Sequence, residues 1–356
     1  MATQQSIDYE KAEAFAGKVI ADIAAGVTLV MASLGDRLGL FKVLTQAPAT
    51  SIELAERAHI NERYAREWLS EMASAGYLVY DPANQRFSLP PEHAPVLAQE
   101  GGPFFLGGVY QLMMAQLGVY NQLVHAFQHG GGVPMEAYDP ALWEGQERFS
   151  NSFFEHLLVQ AWLPAMPDVQ AKLERGALVA DVGCGAGRAL IKLAQAYPQS
   201  RYVGYDMFAP AIVRATANAQ AAGVADRVRF VHLDVSQGLP EQYDVISTFD
   251  VVHDAVNPRG LLRAIRAGLQ PEGRYVCLEF NSSEKLEDNA GLTGSLFYGI
   301  SILYCMTVSL AGHGEGLGTL GLPEAKLRQF CMEAGFSHVR RVPVEAPFNV
   351  LYEIWA

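Results

Sequence analysis

Alternating strand and helix signals in the second half of the chain predict an α/β domain on a doubly wound parallel sheet, behind a smaller, mainly α-helical domain. Three observations carry that expectation. In Val179-Ala-Asp-Val-Gly-Cys-Gly-Ala-Gly-Arg188 an apolar run ends at Asp181, and Gly183, Gly185 and Gly187 follow at alternate positions. An apolar-periodic stretch over 189–196 comes next, so the segment reads as buried strand, glycine turn and helix start. Glycines let the backbone turn tightly and approach a ligand with no Cβ in the way. Second, strands that end in acids recur downstream, separated by helical stretches. Third, residues 50–90 carry two capped helices followed by two short strands.

Taken in order, the second strand is 201–206, ending at Asp206 with Met207 after it. It closes on an acid about 20 residues past the glycines, where acids bind ribose hydroxyls in Rossmann-type sites. The third covers 228–235 and closes on Asp234 and Val235. The fourth begins at Tyr243, passes Phe249 and leads to the pair His253-Asp254. The fifth, 273–280, ends at Glu279-Phe280. Helices are expected over 210–222, 258–269 and 323–334, with Pro258 and Pro323 suited to a first helical turn and Asn257 to an N-cap. The β-rich runs 339–344 and 349–355 suit an antiparallel hairpin at the end.

At the front, residues 10–45 read as a long helix broken near Gly26 and Gly35. Phe15, Val19, Ile23, Val27, Val30, Leu34, Leu38 and Phe41 recur on one face. Thr50-Ser-Ile-Glu53 is a capping box opening a helix over 52–58, and Asn61 caps a second over 62–75 that Gly76 stops. Strands 77–80 and 86–89 flank the turn Asp81-Pro-Ala-Asn. Helix, turn, helix and a two-stranded wing make a winged helix. Between Thr50 and Pro90 four arginines face six acids, the wrong balance for a phosphate-facing surface. Dimerisation is therefore favoured over nucleic-acid binding.

The 356 residues suffice for two domains, read as 1–95 for the winged helix, 96–170 for a helical linker and pocket roof, and 171–356 for the α/β domain. A net charge of −12 disfavours nonspecific binding to nucleic acid or anionic membrane. The four cysteines show no metal spacing and suit reduced thiols in a cytoplasmic protein. The start has no basic and apolar leader pattern. Two tracts, 101–135 and 289–314, contain no Asp, Glu, Lys or Arg. Polar residues interrupt both, so core helices are favoured over membrane spans.

The run D-x-G-x-G-x-G from Asp181 to Gly187, with the acids that follow it, resembles class I S-adenosylmethionine-dependent methyltransferases. With a winged helix ahead of it, the chain resembles plant and bacterial small-molecule O-methyltransferases. It looks closest to a bacterial branch that includes mycobacterial members. The resemblance implies S-adenosylmethionine as cofactor, bound by Asp181, Gly183, Gly185, Gly187, Asp206, Met207, Asp234, Val235 and Phe249. It implies His253 as general base, Asp254 as a substrate-holding residue, and Glu279 and Glu315 as the flanking carboxylates. It also implies a homodimer and a roof over the acceptor pocket made by the two uncharged tracts; apolar roofs suit a small hydrophobic acceptor, with Trp162 and Tyr298 as candidates for the wall. His125, His129, His156 and His313 show no metal-like spacing with carboxylates, so no metal is expected. The plant pattern is not fully kept, since Ala-Val-Asn-Pro follows the His-Asp pair. N-, S- or C-methylation by proximity stays open, as does a metabolite-sensing winged-helix regulator.

Overall fold

In the computed structural model, which describes residues 7–346 and 348–356, the first helix, α1 (Tyr9–Arg37), starts where Asp8 accepts from the Lys11 amide at 3.2 Å. Neither Gly26 nor Gly35 breaks it, contrary to expectation. An interior glycine costs only about 1 kcal/mol of helix propensity, and the surrounding Ala, Val and Leu carry it. Gly35 is there for packing: a Cβ at that position would meet the rings of Trp68 and Phe41. The chain turns instead at Gly39, φ +68°, before α2 (Leu40–Leu44).

The capping box at Thr50 and Glu53 is formed in full and opens α3 (Ser51–Ala58). Asn61 caps α4 (Glu62–Ser74), and Trp68 Nε1 donates to the Met31 carbonyl at 2.8 Å, tying α4 to α1. Strands β1 (Val79–Asp81) and β2 (Arg86–Ser88) pair antiparallel, and Ala49 bridges to Phe87 as a third rung of the wing. Leu40, Phe41, Leu54, Leu69 and Met72 form the core beneath them. Helices α5 (Ala94–Leu97) and α6 (Gly107–Leu117) follow. The chain divides into two compact units, the first ending at Met114 and the second being Ala115–Ala356.

The second unit opens with α7 (Tyr120–His129), α8 (Ala141–Phe153) and α9 (Pro167–Arg175), a π-helical segment Phe154–Trp162 continuing α8. The alternation then runs β3 (Leu178–Val182), α10 (Arg188–Ala196), β4 (Arg201–Asp206), α11 (Ala209–Ala221), β5 (Val228–His232), β6 (Tyr243–Phe249), α12 (Pro258–Gly268) and β7 (Leu269–Phe280). Helices α13 (Leu292–Ile300) and α14 (Met306–Ala311) are joined by the π-helical Ser301–Cys305; α15 (Glu324–Glu333), β8 (His338–Arg341) and β9 (Asn349–Trp355) end the chain. The seven-stranded sheet has the order β5-β4-β3-β6-β7-β9-β8. Strands β3 to β7 are parallel, and β9 runs antiparallel to both neighbours.

Both faces of the sheet are covered. Ile246, Leu262, Ile265, Tyr275 and Leu327 fill one side; Val179, Leu190, Tyr202, Val276 and Trp162 fill the other. Cover on both faces is why β3, β4 and β6 are buried at nearly every central position. Asp181, Asp206 and Glu279 lie at the carboxyl ends of β3, β4 and β7.

Candidate active site

Asp181, the penultimate residue of β3, is 2% exposed and accepts from Ser247 Oγ of β6 at 2.7 Å. Burial, with the charge of Asp206 adding to it, pushes its carboxyl up to about 7. The glycine loop then turns over the sheet edge. The amides of Gly183 and Cys184 both donate to the Tyr205 carbonyl, at 2.8 and 3.0 Å. Gly183, Gly185 and Gly187 all lie at positive φ, which favours glycine. A Cβ on Gly187 would enter the Phe230 ring, whereas one on Gly185 would meet nothing, so the loop's middle faces open space.

Asp206 closes β4 directly against that loop. Its Oδ2 accepts from the Gly185 amide at 2.9 Å and its Oδ1 from the Phe208 amide at 2.8 Å. Burial raises its pKa against these bonds. Met207 is exposed, and its carbonyl meets His232 Nε2 at 2.9 Å. Asp234 is exposed and accepts from the Ser236 amide at 3.0 Å, capping the short turn Val235–Gln237. Val235 points into the sheet core.

The loop after β6 turns at Asp250, a non-glycine residue at φ +57°. It delivers His253 beside Glu279 at the end of β7. Glu279 accepts from the Val252 amide at 2.7 Å through Oε1 and is 2.7 Å from His253 Nδ1 through Oε2. Both side chains are almost fully buried. Burial opposes the charged imidazole, but Glu279 and Cys305 outweigh it and hold the pKa well above its ordinary value. Burial lifts Asp254 to about 7, with Glu279 and Asp206 adding and His253 opposing.

Asp250 was not singled out from the sequence. It accepts from Asn349 Nδ2 at 2.6 Å, and burial followed by the charge of Glu279 pushes its carboxyl up to about 8. Asp250, His253 and Glu279 have ligand-type atoms within 4.8 Å of one another, the arrangement among the described residues that could hold a metal ion. The protein itself bonds each of the three, and no metal is assigned. Glu315 pairs with Arg259 at 3.2 Å, and no hydrogen bond joins it to His253 among the described residues.

Aromatic side chains gather nearby. Phe208, just after Asp206, lies 4.5 Å from Trp143 of α8, and Trp143 meets the edge of Tyr304 at 6.0 Å. Burial first, then the charges of Asp254, Cys305 and Asp206, raise the Tyr304 phenol well above its ordinary pKa. The uncharged tract after Ala115 packs on the tract near 307: Val133 N donates to Thr307 O at 3.2 Å, and Tyr138 Oη donates to Leu303 O at 2.7 Å. Tyr298 is exposed, with its hydroxyl 3.3 Å from Asn289 Nδ2. Trp162 lies deeper than a pocket wall requires. It is 1% exposed and stacks on Phe249 at 6.2 Å around a void of about 20 Å³ inside the sheet core. The π-helical segment that carries it is apolar enough to be drawn under the sheet, which periodicity alone does not reveal.

Residues 25–99 match a family described as an Rv2258c-like winged HTH domain, and residues 180–275 match one described as a methyltransferase domain. Among curated proteins, the ubiquinone biosynthesis O-methyltransferase of Pseudomonas syringae pv. tomato is 26% identical over 151 residues, 42% of this chain and 62% of that protein. The tRNA 5-carboxymethoxyuridine methyltransferase of Escherichia coli K12 is 32% identical over 114 residues, 31% of this chain and 43% of that protein. The chain thus spans less than two thirds of the length of these relatives. Among solved structures, the mitomycin 7-O-methyltransferase MmcR superposes with a TM-score of 0.70 at 21% identity, covering 97% of this chain and 99% of that one. Human N-acetylserotonin methyltransferase in complex with SAM gives 0.68 at 17% identity, covering all of both chains (100% each). The chain therefore carries a winged helix-turn-helix domain followed by a domain of the class I methyltransferase fold.

Proposed function

We propose that this protein is an S-adenosylmethionine-dependent methyltransferase acting on a hydroxyl of a small hydrophobic molecule. The observation that carries the reading is the buried His253–Glu279 pair, held at the carboxyl edge of the sheet beside the Gly183–Gly187 loop and Asp206. Ligands of open α/β sheets bind at that edge. Asp181, Asp206 and Asp254 all have raised pKa values there. Burial is the first cause in each case, and a cationic ligand would favour the ionised carboxylates, so the donor set fits a sulfonium compound. When bound, that cofactor supplies an electrophilic methyl group.

This chain's residues do the rest. The Gly183–Gly187 loop passes close to the cofactor, Asp206 takes its ribose hydroxyls, and Asp234, Met207 and Phe249 complete the site, Val235 offering only its backbone because its side chain is in the core. Glu279 fixes the imidazole through Nδ1, so Nε2 is the nitrogen that takes the acceptor proton, in place of any bond to Cys305. Asp254 and Tyr298 contact the acceptor, and Trp143, Phe208 and Tyr304 give it apolar walls. Glu315 acts at most through Arg259. The acceptor class follows from the aromatic wall and the uncharged tracts.

Homodimerisation is part of the reading. It is supported by the exposed apolar stripe of α1, which includes Phe15, Ile20 and Ile23. Four free, buried cysteines suit a reducing cytoplasm. Two described helical stretches, Tyr9–Arg37 and Leu292–Ala311, are long and apolar enough to span a membrane; we assign them to the dimer and the roof. The test is calorimetry with S-adenosylhomocysteine, then a screen for labelled methyl transfer to phenols and alcohols. Binding and transfer to uncharged acceptors are expected. Absence of binding would overturn the reading.

A further inference from the structure

We propose that Glu147 is a positioning residue that locks the glycine loop to helix α8, so that cofactor binding is felt at the aromatic wall of the acceptor site. The inference rests on the cofactor reading above. Glu147 is 5% exposed and sits on α8, far in sequence from the loop. Its Oε1 accepts from Arg188 Nε at 2.7 Å, Arg188 Nη2 lies 2.6 Å away, and Asn218 Nδ2 donates to the same oxygen at 2.8 Å. Its Oε2 is taken by Arg214 Nε of α11. Arg188 is the first residue of α10, directly after Gly187. Asn218 Nδ2 also donates to the Ala186 carbonyl, inside the loop, at 3.0 Å. One buried carboxylate thus holds both the end of the loop and the helix that follows it.

Stability alone is a weak reason for this arrangement. Apolar residues of similar volume often replace a buried ion pair without loss, whereas the pair fixes geometry. The geometry fixed here has a second contact. Trp143 lies four residues before Glu147, on the same face of α8. Its ring packs on Phe208, whose amide donates to Asp206, and its edge meets Tyr304. Helix α8 therefore reaches the glycine loop through Glu147 by way of Arg188 and Asn218, the ribose-binding acid through Phe208, and the roof through Tyr304. A shift in either cofactor loop is transmitted to the acceptor wall by one rigid element.

The test is S-adenosylhomocysteine binding by calorimetry, together with the ligand-induced change in Trp143 emission, taken by difference against a Trp143→Phe chain. In Glu147→Gln, affinity is expected to fall on the order of 10-fold or more, the usual cost of losing charged hydrogen bonds. The KM for S-adenosylmethionine should rise while kcat at saturation changes little, and the Trp143 response should be lost. A purely structural role would leave the Trp143 response of the folded fraction intact. Should Glu147→Gln fail to fold, Asn218→Ala leaves both arginines on Glu147 and removes the Asn218 bonds to Glu147, Ala186 and Arg188, with the same changes expected in smaller measure. Wild-type affinity and a full Trp143 response in the folded variant would overturn the inference alone. Failure of the wild-type chain to bind would overturn it together with the cofactor reading.

Discussion

His253 is held where it keeps its proton longer than a free imidazole does. Buried, it still has a pKa above the ordinary 6.5, because Glu279 and Cys305 favour the cation. A general base must be neutral, so the competent fraction grows as pH rises through that elevated value. The rising limb of kcat/KM is expected above pH 6.5, and Glu279→Gln should move it down; a pH–rate profile of both chains decides this. An unmoved limb would detach Glu279 from the base. His253→Ala should lower kcat by about 10²–10⁴-fold with S-adenosylhomocysteine affinity kept, the usual worth of a general base. Full activity in that variant would leave positioning as the whole mechanism. The same shift affects stability. A raised histidine pKa contributes stability that is fully present below the unfolded value and is lost as pH rises through the folded one. The charge contribution of His253 to wild-type stability should therefore fade as pH rises through that elevated value, read as a falling unfolding midpoint.

The glycine loop shows what an element demands of its residues. Gly187 has φ +76° and faces the Phe230 ring with no room for a methyl group. Gly187→Ala meets a left-handed conformation costing about 1–2 kcal/mol, before the displacement of Phe230. For a unit of this size each kcal/mol lowers the melting midpoint by roughly 2–4 °C, so calorimetric melting should show a drop of several degrees. An unchanged midpoint would mean that the loop relaxes freely. This loop was legible in the sequence because its signal is local: a strand, alternate glycines and a helix within a short span. The same holds for the capping box at Thr50 and for the strand ends at Asp206 and Glu279. Glu147 with Arg188 and Arg214, or Trp143 with Phe208 and Tyr304, was not legible. Those residues meet only after α8 packs on the sheet, and no spacing rule joins a helix to loops so far away in the chain. Asp250 was missed because its backbone conformation, not its neighbours, sets it apart. Gly26 misled because propensity is a weak prior against a long run of helix formers.

At the scale of the molecule the exposed face of α1 is the largest open account. Phe15, Ile20, Ile23 and Val27 are 65%, 68%, 62% and 50% exposed, and no residue of its most apolar stretch is fully buried within one chain. Soluble monomers rarely show an apolar patch of that length. Glu13, Lys18 and Asp22 interrupt the same helix, which suits a partner helix in water better than a lipid interior. A second copy of the chain offers the matching surface, since a two-fold contact places the same stripe on both sides. About 800 Å² per partner makes a stable interface, within reach of a helix this long. Light scattering is therefore expected to give twice the 38.8 kDa mass of the chain. Ile23 and Val27 are four residues apart on one face, so Ile23→Asp with Val27→Asp should bury two charges in the contact and yield a monomer. That double variant alters no residue of the sheet edge, so S-adenosylhomocysteine binding should persist and show that the monomer is folded. A wild-type chain that runs as a monomer at micromolar concentration, with the stripe still exposed, would overturn the dimer and leave lipid as the next partner to test.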